Sequence, residues 1–227
     1  HNNATEEHPE RRGGGVFLAG YAPLLTAREE VVRALQSLPL PGGGSMHQFQ
    51  PRESYLEWLN YVRGDAIVLG RNTDGNFGGG LAPVESAANI FAAQRYKPGI
   101  PGSESCASLY SLLFTQGAIH SDTDLEAHIT QALPLADVST FERLLAYLHG
   151  NDVDILPDHP GRDMVQRTWV VTTRGATGDA LRYAAAGRTH TALFTDQPAH
   201  LERELVARFT RLLTKNIAFA GPGFAPL

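Results

Sequence analysis

Asp65-Ala66-Ile67-Val68-Leu69-Gly70 is followed closely by Asn72-Thr73-Asp74-Gly75-Asn76-Phe77-Gly78-Gly79-Gly80, and this pair of segments decides the expected fold. The first segment is a short apolar run closed by glycine, which reads as a buried strand. The second is a glycine-rich loop. Pro83 to Gln94 reads as the helix beyond it, with Pro83 suited to the first turn. Strand, glycine-rich loop and helix in that order make a βα unit, and such units build parallel sheets.

Upstream, residues 1–15 are polar and end in Arg11-Arg12-Gly13-Gly14-Gly15, the composition of a flexible arm. Val16-Phe17-Leu18-Ala19-Gly20 reads as another short strand. Thr26 and Glu29 have capping-box spacing, and Val31, Ala34, Leu35 and Leu38 continue at helical spacing. Tyr55, Leu59 and Val62 mark a second helical face. Downstream, Leu109, Leu112 and Leu113 share one helical face. Thr123 with Glu126, and Ser139 with Glu142, form two more capping boxes. The latter opens an amphipathic helix on Phe141, Leu144, Leu145 and Leu148 that stops at His149-Gly150. Thr168-Trp169-Val170-Val171-Thr172-Thr173 is β-branched and aromatic, a strong strand signal. Thr191 to Thr195 reads as a further strand, and Leu201, Leu205, Phe209, Leu212 and Leu213 as a last helix. The sum is an α/β fold with a short, mainly parallel, Rossmann-like sheet in the first half. The second half is expected to be helix-rich, with one or two added strands. Residues 16–227 read as one α/β domain, with 101–105 as the place where it would subdivide.

The 227 residues are 42% hydrophobic and 19% charged, which is globular composition. A chain of this length buries roughly 70% of its unfolded surface. No run approaches the ~18 apolar residues of a membrane span. The formal net charge of -5 gives no broad attraction to nucleic acid or anionic lipid. Cys106 is the single cysteine, so no intrachain disulfide forms. It reads as a buried small residue rather than a catalytic thiolate.

Chemistry is sought first in the glycine-rich loop. Glycines let a backbone approach phosphate, and a following helix N-terminus favours anions. Asn72, Gly78, Gly79 and Gly80 are therefore the candidate phosphate or nucleotide residues, although the loop matches neither common nucleotide fingerprint. A surface loop is the competing reading. His149, Asp152, Asp154, Asp158, His159 and Asp163 gather in a segment broken by Pro157 and Pro160. It reads as a solvated turn, and no metal or other cofactor is assigned. His120, His128, His190 and His200 are scattered and read as structural or surface groups. Nucleophile-elbow, zinc-protease, paired-cysteine and kinase motifs are missing from the sequence.

The first hundred residues resemble the nucleoside 2-deoxyribosyltransferase-like group. Leu18-Ala19-Gly20 is similar to its opening strand, and Asp65-Ala66-Ile67-Val68 to its second strand. Tyr55-Leu56-Glu57-Trp58-Leu59 looks like the helix between them. Gly80, Glu85, Lys97 and Pro98 stand where the family has its glycine, catalytic glutamate and Lys-Pro pair. The resemblance implies that Glu85 acts as nucleophile or charge stabiliser at an anomeric carbon, where the transition state is oxocarbenium-like. The match departs at Gly20-Tyr21-Ala22-Pro23, and at Ser86-Ala87 after the glutamate. A fainter resemblance, to macro domains, rests on Asp65-Ala66-Ile67-Val68, Asn72, Gly78-Gly79-Gly80 and the turn Thr173 to Gly178.

Two functions follow. One is a non-catalytic assembly or interaction domain with other protein subunits as partners, such as part of a viral shell or another large multi-subunit assembly. It is motivated by the incomplete catalytic motifs and the glycine-proline tail Gly221 to Leu227. The other is a nucleoside or nucleotide N-glycosyl-bond hydrolase or transferase centred on Glu85.

Overall fold

The computed structural model describes residues 24–36, 51–66, 91–92, 95–97, 109–115, 126–133, 137–150, 166–172 and 178–219. The chain divides into two compact units, His1–Tyr110 with Ala118–Arg167, and Ser111–Gly117 with Thr168–Leu227. In chain order the elements are helices α1 (Leu24–Gln36) and α2 (Pro51–Arg63), then strands β1 (Phe91–Ala92), β2 (Arg95–Tyr96) and β3 (Leu109–Thr115). Next come helices α3 (Glu126–Ala132) and α4 (Phe141–Gly150), β4 (Gln166–Thr172), α5 (Gly178–Ala186), β5 (Ala192–Phe194) and α6 (Pro198–Phe219).

The fold is α/β with a three-stranded parallel sheet, but the sheet lies mainly in the second half of the chain. Its order is β3-β4-β5. The expected first-half parallel sheet is corrected accordingly. What the described first half holds is a two-residue antiparallel ladder, Phe91 opposite Tyr96 and Ala92 opposite Arg95, extended by a single antiparallel bridge from Ala66 to Arg95. Of the strand expected at 65–70, only Asp65 and Ala66 fall among the described residues. The helix expected to run to Gln94 is a strand at Phe91–Ala92, because cross-strand pairing overrides a weak local helix preference.

In the first unit, α2 is the hub. Leu56, Leu59 and Val62 are buried with Ile129 and Leu133 from the α3 segment, Val138, and Leu144 and Leu148 of α4. Tyr55 meets the edge of Phe141 at 5.1 Å between ring centroids. The helix ends in a Schellman motif. Gly64 takes φ 73°, its N–H donates to the Tyr61 carbonyl (3.2 Å), and the Asp65 N–H donates to Asn60 (2.8 Å). The start of α4 lies one residue beyond the expected cap. Thr140, not Ser139, caps it, with its hydroxyl accepting the Arg143 N–H at 3.3 Å. Ser139 instead donates to Asp137 (3.0 Å), and the Arg143 guanidinium also donates to Asp137 (2.6 Å). Those bonds, Arg143 first, hold the Asp137 carboxyl below its ordinary range.

In the second unit, Val170 and Val171 of β4 are buried, as are Ala180, Tyr183 and Ala184 of α5 and Leu193 of β5. Strands β4 and β5 run parallel with Val170 opposite Ala192 and Val171 opposite Leu193. The Trp169 strand and the last helix match expectation. Residues 109–113 do not, because they form β3 rather than a helix. Periodicity cannot separate the two in a short apolar run. Helix α5 was not foreseen, although Ala180, Tyr183 and Ala184 carry its buried face at i, i+3 and i+4.

The turn after α5 places a strained residue beside a necessary glycine. Arg188 sits at φ 58° in the position that glycine usually fills, with Arg188 N–H donating to Ala185 (3.1 Å) and Thr189 N–H to Ala184 (2.9 Å). Gly187 is different. A Cβ there would stand 2.7 Å from Thr168 Cβ and 2.9 Å from its carbonyl oxygen. The Gly187 carbonyl also accepts the Thr168 N–H at 3.0 Å. Denaturant unfolding should therefore show opposite effects at adjacent positions. Arg188→Gly should stabilise by about 1 kcal/mol by relieving the left-handed conformation. Gly187→Ala should destabilise by about 1–3 kcal/mol through overpacking against backbone. Equal effects at the two sites would contradict this geometry.

Candidate functional site

Helix α2 has almost no solvated side. Tyr55, Leu56, Trp58, Leu59, Tyr61 and Val62 take up most of its circumference with core packing. Glu53, Glu57 and Asn60, at i, i+4 and i+7, form one stripe, and all three are buried along with Arg52. Buried charges are costly unless they are hydrogen-bonded or paired. For Glu57 one such group is in view, the Tyr96 hydroxyl, which donates a hydrogen bond to Oε2.

The path from α2 to Tyr96 is short and directed. The glycine cap turns the chain at Gly64, and the Tyr96 N–H donates to the Asp65 carbonyl at 2.9 Å. Arg95 donates to the Gly64 carbonyl at 3.2 Å and lies 3.9 Å from the Asp65 carboxylate. The Tyr96 ring stands edge-on to Tyr61, with centroids 5.8 Å apart. Backbone, guanidinium and ring contacts together fix the phenol over Glu57.

The electrostatics say what this pair does. Burial, then the Glu57 charge, then the hydrogen bond to it, push the Tyr96 phenol far above its ordinary range. It remains a protonated donor at every physiological pH and does not become a phenolate nucleophile. At 1% exposure for Glu57 and 3% for Tyr96, neither group is offered to a substrate. The pair is a clasp between α2 and β2.

Glu85, Asn72, Gly78, Gly79 and Gly80, the residues expected from the sequence, lie outside the described residues, as do Cys106, His120 and Asp152 to Asp163. The structure describes His149, at the end of α4, where its Nδ1 lies 3.3 Å from the Gln166 carbonyl oxygen. A carbonyl only accepts, so that bond has the proton on Nδ1. His200 lies 3.9 Å from Glu204 one turn along α6. His190 is exposed in the turn before β5, at φ 60°. Among the described residues no group of three His, Cys, Asp or Glu side chains could hold a metal ion. Nor is any helix there long and apolar enough to cross a membrane.

The stripe at Glu53, Glu57 and Asn60 was missed from sequence because acids at i and i+4 ordinarily mark a solvated face. The signal against that reading is the apolar and aromatic residues on the rest of α2, which leave the acids no route to water.

Several large apolar side chains are exposed alongside the polar ones. In the first unit these are Val31, Val32 and Leu35 of α1, at 37%, 43% and 61% exposure. Val31 and Leu35 belong to the run whose helical spacing predicted this helix, which the structure has at Leu24–Gln36. Helix α1 also begins at Leu24, so Thr26 lies within it rather than capping it. In the second unit Phe114, Leu181, Phe194, Val206 and Phe209 are exposed. Phe209 stands edge-on to Trp169 at 5.7 Å, and the Arg208 guanidinium lies 5.9 Å from the centre of the same ring.

No protein-family model, curated protein or solved structure matches this chain.

The clasp has two measurable consequences. Tyr96→Phe removes a donor from a buried carboxylate and should cost about 1.5–3 kcal/mol in denaturant unfolding. Because the folded-state pKa of Tyr96 is raised, its contribution is present below the unfolded tyrosine range and is lost as pH rises above about 10. Spectrophotometric titration of the seven tyrosines should give the same native-state count in wild type and Tyr96→Phe. A count lower by one in the variant would mean that Tyr96 ionises in the fold.

Proposed function

We propose that this chain is a non-catalytic assembly module that associates with other protein subunits, copies of itself. The observation that carries this reading is the open apolar side of α1. Val31 and Leu35 lie one turn apart and Val32 lies beside them, so the three exposed side chains share one side of the helix. Fully burying a Val or Leu side chain stabilises by about 1.5–3 kcal/mol. A 13-residue helix gains little stability by itself, so a partner that covers this side stabilises the helix as well as the complex. The closed chemistry of the Glu57–Tyr96 pair supports the same reading, since the buried polar cluster serves packing.

Sedimentation velocity over a range of concentrations tests the proposal. The wild type should sediment faster as concentration rises. Val32→Glu with Leu35→Glu should weaken association roughly tenfold or more, with little loss of fold because both sites are exposed. Unchanged association in that variant would remove α1 from the interface. The competing N-glycosyl-bond reading is separated by incubating the chain with nucleosides, nucleotides and NAD. The assembly reading expects no released base. Release that disappears in Glu85→Gln would overturn it.

A further inference from the structure

Near the end of α2, Asn60 and Arg63 stand three positions apart, the spacing that makes side chains neighbours on a helix surface. Asn60 is 5% exposed. Its Nδ2 and the Nε of Arg63 are both buried, and among the described residues neither nitrogen has a hydrogen-bond partner. A buried donor without an acceptor forfeits its hydration and gains nothing for it, so native folds rarely keep one. Here two stand side by side. The carbonyls that close this helix end already have donors. Tyr61 accepts the Gly64 N–H at 3.2 Å, Asn60 the Asp65 N–H at 2.8 Å, and Gly64 the Arg95 guanidinium at 3.2 Å. Both orphaned atoms donate, and one belongs to a cation, so the group that matches them is an anionic acceptor.

We propose that Asn60 and Arg63 form a binding site for a small carboxylate, whose oxygens accept from Asn60 Nδ2 and Arg63 Nε. This goes beyond the assembly reading and does not depend on it. The surroundings select the ligand. Glu53 and Glu57 are buried on the same helix and disfavour a doubly charged anion such as phosphate. A carboxylate brings one charge and two oxygens, one for each donor. Glu57 lies about 120° around the helix from Arg63, and its Oε2 accepts from Tyr96. Asn60 thus stands between the bound carboxylate and the protein's own. Arg63 is only partly buried, which gives a small ligand its way in from solvent. Its guanidinium keeps its charge at every physiological pH, and its planar donors suit a carboxylate.

Formate and acetate are the probes, added to the 15N-labelled chain at one low protein concentration and constant ionic strength, with chloride as the control salt. The Asn60 side-chain amide and Arg63 Nε–H resonances should shift saturably with either carboxylate and stay in place with chloride. Arg63→Gln should weaken binding roughly tenfold or more, read at the Asn60 amide. If that variant unfolds, Arg63→Lys, which keeps the charge without the Nε–H, should show the same loss. Asn60→Asp supplies a carboxylate from within the chain. It should shift the Arg63 Nε–H with no ligand present and abolish the response to acetate. Resonances that ignore formate and acetate in the folded wild type would mean that the two donors hold ordered water only, and would overturn the proposal. A response that survives loss of the Arg63 Nε–H unchanged would also overturn it, as would phosphate binding tighter than acetate.

Discussion

Glu57 is held inside the first unit by a helix with nowhere else to point it. The Tyr96 phenol is what the structure supplies in return. A carboxylate at this depth is costly to bury unless it is hydrogen-bonded or paired. The hydrogen bond from Tyr96 makes its burial tolerable. Much of the local geometry serves that contact. The left-handed glycine at 64 redirects the chain, Arg95 ties β2 back to the helix end, and Tyr61 braces the ring. Polar atoms decide the position of α2, while Leu56, Leu59 and Val62 decide how much surface it buries.

The second unit depends on close backbone approach. Strand β4 carries β-branched side chains at its centre, and the turn after α5 comes near enough to Thr168 that only glycine fits at 187. The Thr189 hydroxyl then donates to the Thr168 carbonyl at 2.8 Å, adding a side-chain tie to the backbone one. Strand β5 follows, and Thr195 starts the turn into α6 by accepting the Gln197 N–H (3.1 Å) and donating to its carbonyl (2.8 Å). Pro198 then occupies the first helical position.

The sequence was legible where one local signal was strong and tertiary pairing agreed with it. Thr168 to Thr172, the amphipathic run from Phe141, and Leu201 to Phe209 fall into this class. It misled where two structures share a pattern. Leu109, Leu112 and Leu113 fit a helical face, yet seven residues are as well suited to a strand, and pairing decided the matter. Val31 and Leu35 have the spacing of a core face, but spacing reports only that a side is apolar. It does not say whether the covering surface belongs to the same chain. Glu57 and Tyr96 lie 39 positions apart, and no local rule joins an acid on a helix to a tyrosine on a two-residue strand. That contact is a product of the fold.

The proposed association rests on the apolar side of α1, where Val31, Val32 and Leu35 are exposed. The most direct measurement is native mass spectrometry of the purified chain. The account predicts ions at integer multiples of the 24.6 kDa chain mass, with the multiples gaining at higher concentration. Ions of the single chain alone, at every concentration that keeps it folded, would contradict it.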